Sequence, residues 1–166
     1  MNAIDLLRFQ LDVSKNLTAS LLADMSDAPL AQPTSKGGNH PMWVAGHLAF
    51  AEANLTNYIL QGKANPLDGW KDMFGRGSEP STDASKYPPF EEVLARWDEV
   101  RASTLKILDG LSEADLDKPS ANPPEGREAF FNTYGKVFAI VGLHAAMHRG
   151  QVADARRASN RPVLAV

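Results

Sequence analysis

Four segments of this chain carry apolar residues at the spacing of an α-helix, and no segment alternates apolar with polar residues as a half-buried strand does. The first three segments cover residues 2–25, 41–61 and 90–111, and the fourth starts between residues 128 and 133 and ends near 158. Four long amphipathic helices bury their apolar stripes best against one another. The sequence therefore predicts an all-α fold, a four-helix bundle, as a single domain over residues 1–166.

The second and third helices are joined by an unusually long connection, residues 63–89. Connections of this length without regular structure are uncommon in compact domains, and many of them have a functional role. This one contains Trp70, Met73 and Phe74, which predicts that it packs against the bundle. These residues form either a hydrophobic tether or a lid over a site.

The composition excludes several classes of protein and site. With 17 basic and 20 acidic residues the net charge is −3, and no basic stripe stands out, which argues against nucleic acid or an anionic membrane as a partner. The absence of cysteine excludes disulfides, iron–sulfur clusters and a cysteine nucleophile. We expect neither a signal peptide nor a transmembrane helix, and we expect a cytoplasmic location. A homodimer is compatible with these features.

Three of the four histidines lie on inward-facing stripes of predicted helices. His144 and His148 are four residues apart on the fourth helix, so both rings lie on one face, and His47 lies on the stripe of the second helix. Three imidazoles that meet in the core, with one position left open, are typical of a catalytic metal site. The alternative is that they are ordinary histidines of the core or the surface. His40, beside Pro41 at the predicted start of the second helix, is interpreted as a helix-start residue.

Four further residues are candidates for the surroundings of this site. Gln151 lies one turn after His148 and either orients its ring or makes an ordinary contact between helices. Ser14 and Thr18 interrupt the stripe of the first helix, which predicts either a pocket or close packing of small residues. Tyr134 lies about 15 Å from His144 along the helix axis, which suits a pocket wall.

The histidines occur in two short motifs, GHLAFAE at residues 46–52 and HAAMHRGQ at residues 144–151. One histidine on the second helix followed by His-x-x-x-His-Arg-Gly-Gln on the fourth resembles the DinB-like (YfiT-related) superfamily over nearly the whole chain. The resemblance implies a four-helix bundle that holds one divalent metal through His47, His144 and His148. Zinc or nickel would be the metal, with iron or manganese as alternatives. Some members of that superfamily transfer bacillithiol or mycothiol, and one branch isomerises maleylpyruvate with a thiol cofactor.

The residues around the histidines indicate which reaction the site supports. The His-x-x-x-His motif lacks the glutamate of a His-Glu-x-x-His protease helix, and Glu52 lies about 140° around the helix from His47. Without a general base, transfer of a low-molecular-weight thiol to an electrophile is favoured, because a metal lowers the pKa of a coordinated thiol. The alternatives are a metal-dependent hydrolase or isomerase on the same site, and a bundle that binds a metal or ligand without catalysis.

Overall fold

The computed structural model describes residues 1–164. Within that range the chain forms helices and loops without a β-strand, which confirms the all-α prediction. None of the helices in this range combines the length and the apolar character that crossing a membrane requires. The α-helices are α1 (Ala3–Ala23), α2 (Pro41–Ala53), α3 (Lys71–Phe74), α4 (Phe90–Asp109), α5 (Glu128–Phe131) and α6 (Tyr134–Ala158).

The four long helices close into a ring, which confirms the predicted bundle. Helix α1 packs against α6 and α4, and α2 packs against the same two helices from the other side. The apolar stripes fill the centre, where Leu11, Trp97, Phe138 and Val152 are almost completely buried. Each large apolar side chain buried in this way contributes about 1.5–3 kcal/mol to the free energy of unfolding.

The start of α2 follows the predicted pattern. His40 precedes Pro41, and its Nδ1 accepts a hydrogen bond from the backbone N–H of Trp43 at 3.1 Å. The Nε2 of His40 donates to the carbonyl of Ser81 at 2.9 Å. The fully buried His40 therefore caps the helix and anchors the long connection.

The end of α2 differs from the sequence prediction of one regular helix. After Ala53 the chain continues as a π-helical turn, Asn54–Ile59, before it reaches Gly62, which has a positive φ of 69°. In a π-helical turn each backbone N–H donates to the carbonyl five residues earlier, and such turns occur frequently at functional sites. This turn lies directly beside the cavity described below.

The long connection is packed against the bundle. It contains a short 3₁₀ turn at Asp68–Trp70, which leads into α3. Phe74 at the end of α3 is completely buried, and Trp70 and Met73 are partly buried against the same core. These contacts are those of a hydrophobic tether, and they bring the backbone of Phe74 close to α2.

Candidate metal centre

Three histidines meet between α2 and α6. The Nε2 atoms of His47 and His144 are 3.3 Å apart, and those of His144 and His148 are 3.1 Å apart. The ligand atoms of all three residues lie within 4.8 Å of one another. Imidazole nitrogens about 2.0–2.1 Å from a tetrahedral zinc ion are about 3.3–3.4 Å apart, so the spacing is that of a three-imidazole metal site.

The outer nitrogens of two of these rings are held by hydrogen bonds. The Nδ1 of His47 lies 2.7 Å from the carbonyl oxygen of Phe74, and the Nδ1 of His148 lies 2.7 Å from the Oε1 of Gln151. Because both partners are acceptors, each Nδ1 carries the proton and donates it. The Nε2 lone pairs of both rings are therefore directed at the third imidazole. Converging acceptor nitrogens of this kind fit a shared cation, and such outer hydrogen bonds commonly orient metal-ligating histidines.

The ring of His47 is also held from the side. Trp43 stacks on it with ring centres 4.3 Å apart, and the indole N–H of Trp43 donates to the hydroxyl of Ser78 at 2.9 Å. Gly46 allows Phe74 to approach, since a Cβ atom at position 46 would lie 2.3 Å from the Phe74 ring. A glycine at this position is thus what lets the Phe74 carbonyl reach His47.

Burial keeps the three imidazoles uncharged. It lowers the pKa of His47 to about 4 and that of His148 below its usual range. The pKa of His144 falls to about 3, first because of burial and then because its proton would be repelled by a charge on the other two histidines and by the guanidinium of Arg127. Neutral imidazoles offer their lone pairs to a metal at physiological pH.

A cavity of about 420 Å³ leads to His47 and His144. Its walls are mostly apolar, and its polar side chains are the two histidines, Asn54, Arg76 and Arg127. The π-helical turn supplies part of one wall, and no carboxylate lines the cavity within residues 1–164. The apolar lining consists of Phe50, Ala51, Leu55, Ile59, Pro124, Phe131 and Ile140.

The structure places the other predicted site residues as follows. Gln151 lies against His148, as described. The single hydroxyl proton of Thr18 is shared between two backbone carbonyls, that of Ser14 at 2.8 Å and that of Ala145 at 3.2 Å from the Oγ1. Ser14 and Thr18 therefore lie in the packed contact between α1 and α6, away from the cavity lining. Tyr134 begins α6 and packs, partly buried, on the apolar cluster that includes Leu55 and Phe131, but it does not itself line the cavity.

Glu52 points away from the histidines, as its angle around α2 predicts. Its carboxylate oxygens accept hydrogen bonds from Arg101 at 2.7 and 2.8 Å and from the indole N–H of Trp97 at 3.0 Å. All three side chains are buried between α2 and α4. Glu52 thus has its own partners and is not positioned as a general base for the histidine cluster.

A comparison with known families identifies the superfamily of the chain. The family model of the DinB superfamily matches residues 10–152. The chain belongs to the DinB superfamily. All three clustered histidines of this DinB-superfamily protein lie inside the matched stretch. A search of curated proteins found no match. Family membership and the histidine geometry are together compatible with metal binding.

Proposed function

We propose that this DinB-superfamily protein binds one divalent metal ion through His47, His144 and His148 and transfers a low-molecular-weight thiol to an electrophile. The observation that supports this most is the convergence of three Nε2 atoms, two of them from histidines that line a cavity whose described lining contains no carboxylate. Three neutral imidazoles suit zinc or nickel, whereas manganese prefers oxygen ligands.

Different residues of the site orient the histidine rings and bind the reactants. The Phe74 carbonyl and the Gln151 side chain orient two of the rings, and Trp43 holds the ring of His47 from the side. A divalent metal held there would supply an open position at which a thiol loses its proton near neutral pH. The apolar walls beside His144 exclude water and bind the carbon skeleton of the reactants.

The surroundings of the histidines favour thiol transfer over hydrolysis. Metal-dependent hydrolysis commonly uses a glutamate near the metal as a general base. In the described part of this chain, the buried glutamate nearest in sequence to His47 is Glu52, and it is bonded to Arg101 and Trp97. A thiol needs no protein base, because coordination alone lowers its pKa.

Cobalt(II)-substituted protein tests the proposal directly. Addition of a small thiol should produce an intense sulfur-to-metal charge-transfer band in the near ultraviolet that saturates at one thiol per metal. The pH midpoint of the band should lie below about 8.5, the usual pKa of a free thiol. Consumption of an alkyl halide electrophile should then require both metal and thiol. A spectrum that responds to azide and not to thiols would overturn the proposal in favour of a hydrolase, and a spectrum that responds to neither would favour a bundle without catalysis.

A further inference from the structure

The ion pairing of the arginines is uneven across the molecule. The chain contains nine arginines. Within residues 1–164, six of them form salt bridges with carboxylates, namely Arg8, Arg96, Arg101, Arg156, Arg157 and Arg161. Two of the other three, Arg76 and Arg127, line the cavity that leads to His47 and His144. Among the described residues, neither guanidinium has a salt bridge or a hydrogen bond.

The two cavity arginines come from different segments of the chain. Arg76 follows α3, two residues after Phe74, whose carbonyl holds His47. Arg127 precedes α5, and its guanidinium lies 5.0 Å from the centre of the Phe131 ring. That stacking holds the cation against a wall of the cavity. Two separate loops thus bring positive charge to the same opening.

No negative charge from the described lining balances these cations. Glu125 lines a neighbouring cavity, but no salt bridge joins it to Arg76 or Arg127. The walls of the same cavity include Phe50, Leu55 and Ile140, whose low polarity concentrates the electric field in the cavity. Guanidinium groups bind carboxylate and phosphate oxygens through paired hydrogen bonds.

We propose that Arg76 and Arg127 form a recognition site for an organic anion. The substrate carries a carboxylate or phosphate group at the arginines and an apolar body along the walls, and its other end reaches the histidines. The proposal deepens the proposed function and rests on it, because it names the substrate class of the same cavity.

Calorimetric titration of the zinc-loaded protein tests this with probes that contain no thiol. The probes are 4-phenylbutyrate, phenyl phosphate and the neutral 4-phenylbutanol. At least one of the anions should bind about tenfold or more tightly than the alcohol, since hydrogen bonds to charged groups contribute more than neutral ones. Comparison of the two anions identifies carboxylate or phosphate as the preferred group, and either preference supports the proposal.

Matched variants separate the arginines from the metal as the source of anion affinity. Arg76→Gln and Arg127→Gln should each weaken anion binding about tenfold and leave the binding of the alcohol unchanged. Arg96→Gln, which removes the same charge from a surface pair with Glu99, should have no effect. Unchanged anion affinity in both cavity variants, or anions that bind no tighter than the alcohol, would overturn the proposal.

A pair of thiols distinguishes failure of this inference from failure of the proposed function. In cobalt(II)-substituted protein, 4-mercaptobutyrate should produce the charge-transfer band at about tenfold lower concentration than 4-mercaptobutanol. If both thiols act at equal concentrations, the metal site accepts thiols and the arginine site is wrong. If neither thiol changes the spectrum, the proposed function fails. The calorimetric titration alone then decides whether the arginines bind an organic anion.

Discussion

Helix α2 buries two polar side chains five residues apart, His47 and Glu52, and their surroundings are opposite in kind. Glu52 lies in a closed site, where Arg101 and Trp97 satisfy its carboxylate and balance its charge. His47 lies in an open site, where its Nε2 faces other imidazole nitrogens at the end of a cavity. The carboxylate of the first site finds its hydrogen-bond partners within the protein. The second site offers imidazole lone pairs and cationic side chains to a bound metal or ligand.

The comparison shows that burial of a polar group does not by itself mark a functional site. Buried polar groups are normally paired, and Glu52 follows that rule through two partners on the neighbouring helix α4. The histidine cluster is also ordered by hydrogen bonds, but those bonds fix the outer nitrogens and leave the inner ones directed at one point. The two regions therefore differ in whether their hydrogen bonds leave lone pairs free to bind a metal.

The largest effect should come from breaking the closed site. Replacement Arg101→Leu leaves Glu52 buried without its cation, and the free energy of unfolding of the metal-free protein should fall by about 3–5 kcal/mol. Urea denaturation measures this change. The control is Arg96→Leu at an exposed pair, which should cost less than about 1 kcal/mol. Equal losses of unfolding free energy in the two variants would show that the buried pair of Glu52 and Arg101 contributes no more to stability than an exposed pair.

Breaking the open site should change metal binding more than folding. His148→Ala should weaken metal affinity by more than the roughly 10–100-fold that loss of an outer partner costs. His40→Ala is the matched control, because His40 is buried but caps α2 outside the cluster. It should keep the metal and lose at least about 1 kcal/mol of stability, because the helix cap and the partner of the Ser81 carbonyl are lost together. Metal analysis after dialysis checks both variants, and equal metal loss in the two would contradict the assignment.

Removal of the metal should lower the stability of the fold without unfolding it at 25 °C. At a free metal concentration of about 100 times its dissociation constant, binding stabilises the fold by about 2.7 kcal/mol. Chelation should therefore lower the melting temperature by about 5–10 °C for a chain of this size. The helical circular dichroism at 25 °C should persist, since the four long helices bury two large apolar clusters against one another without the metal. A random-coil spectrum after chelation would show that the bundle needs the metal to fold.

The smallest effect should come from the hydrogen bond that orients His148. Gln151→Leu removes the acceptor for the His148 Nδ1 and should weaken metal affinity about 10–100-fold with little change in stability. Gln151→Glu keeps an acceptor oxygen and should retain most of the affinity. Competition with a metallochromic indicator measures both variants. If the two variants bind the metal equally well, the hydrogen bond does not tune the site.

Sequence patterns predicted the bundle and the elements that carry the histidines. The stripes of α1 and α4 are regular enough to fix both helices, and Pro41 with His40 marks the start of α2. The spacing of His144 and His148 on one stripe follows from helix geometry, and the structure does bring both rings to His47. These predictions worked because they depend on local periodicity.

Features that depend on tertiary contacts could not be predicted. The hydrogen bond from His47 to the Phe74 carbonyl involves a backbone group, which has no residue signature. Arg76 and Arg127 lie in connecting segments, whose course over the bundle is set by contacts such as Phe74 against Gly46. The π-helical turn at Asn54–Ile59 has no composition that separates it from the α-helix it continues.

X-ray absorption spectroscopy of the zinc-loaded protein tests the central claim, a three-histidine metal site with an open position, most directly. The spectrum should show three imidazole ligands at about 2.0–2.1 Å and one further light atom, with one metal per chain. Addition of a small thiol should replace that light atom by one sulfur at about 2.3 Å. Fewer than three imidazoles, or a first coordination shell with no exchangeable position, would contradict the account.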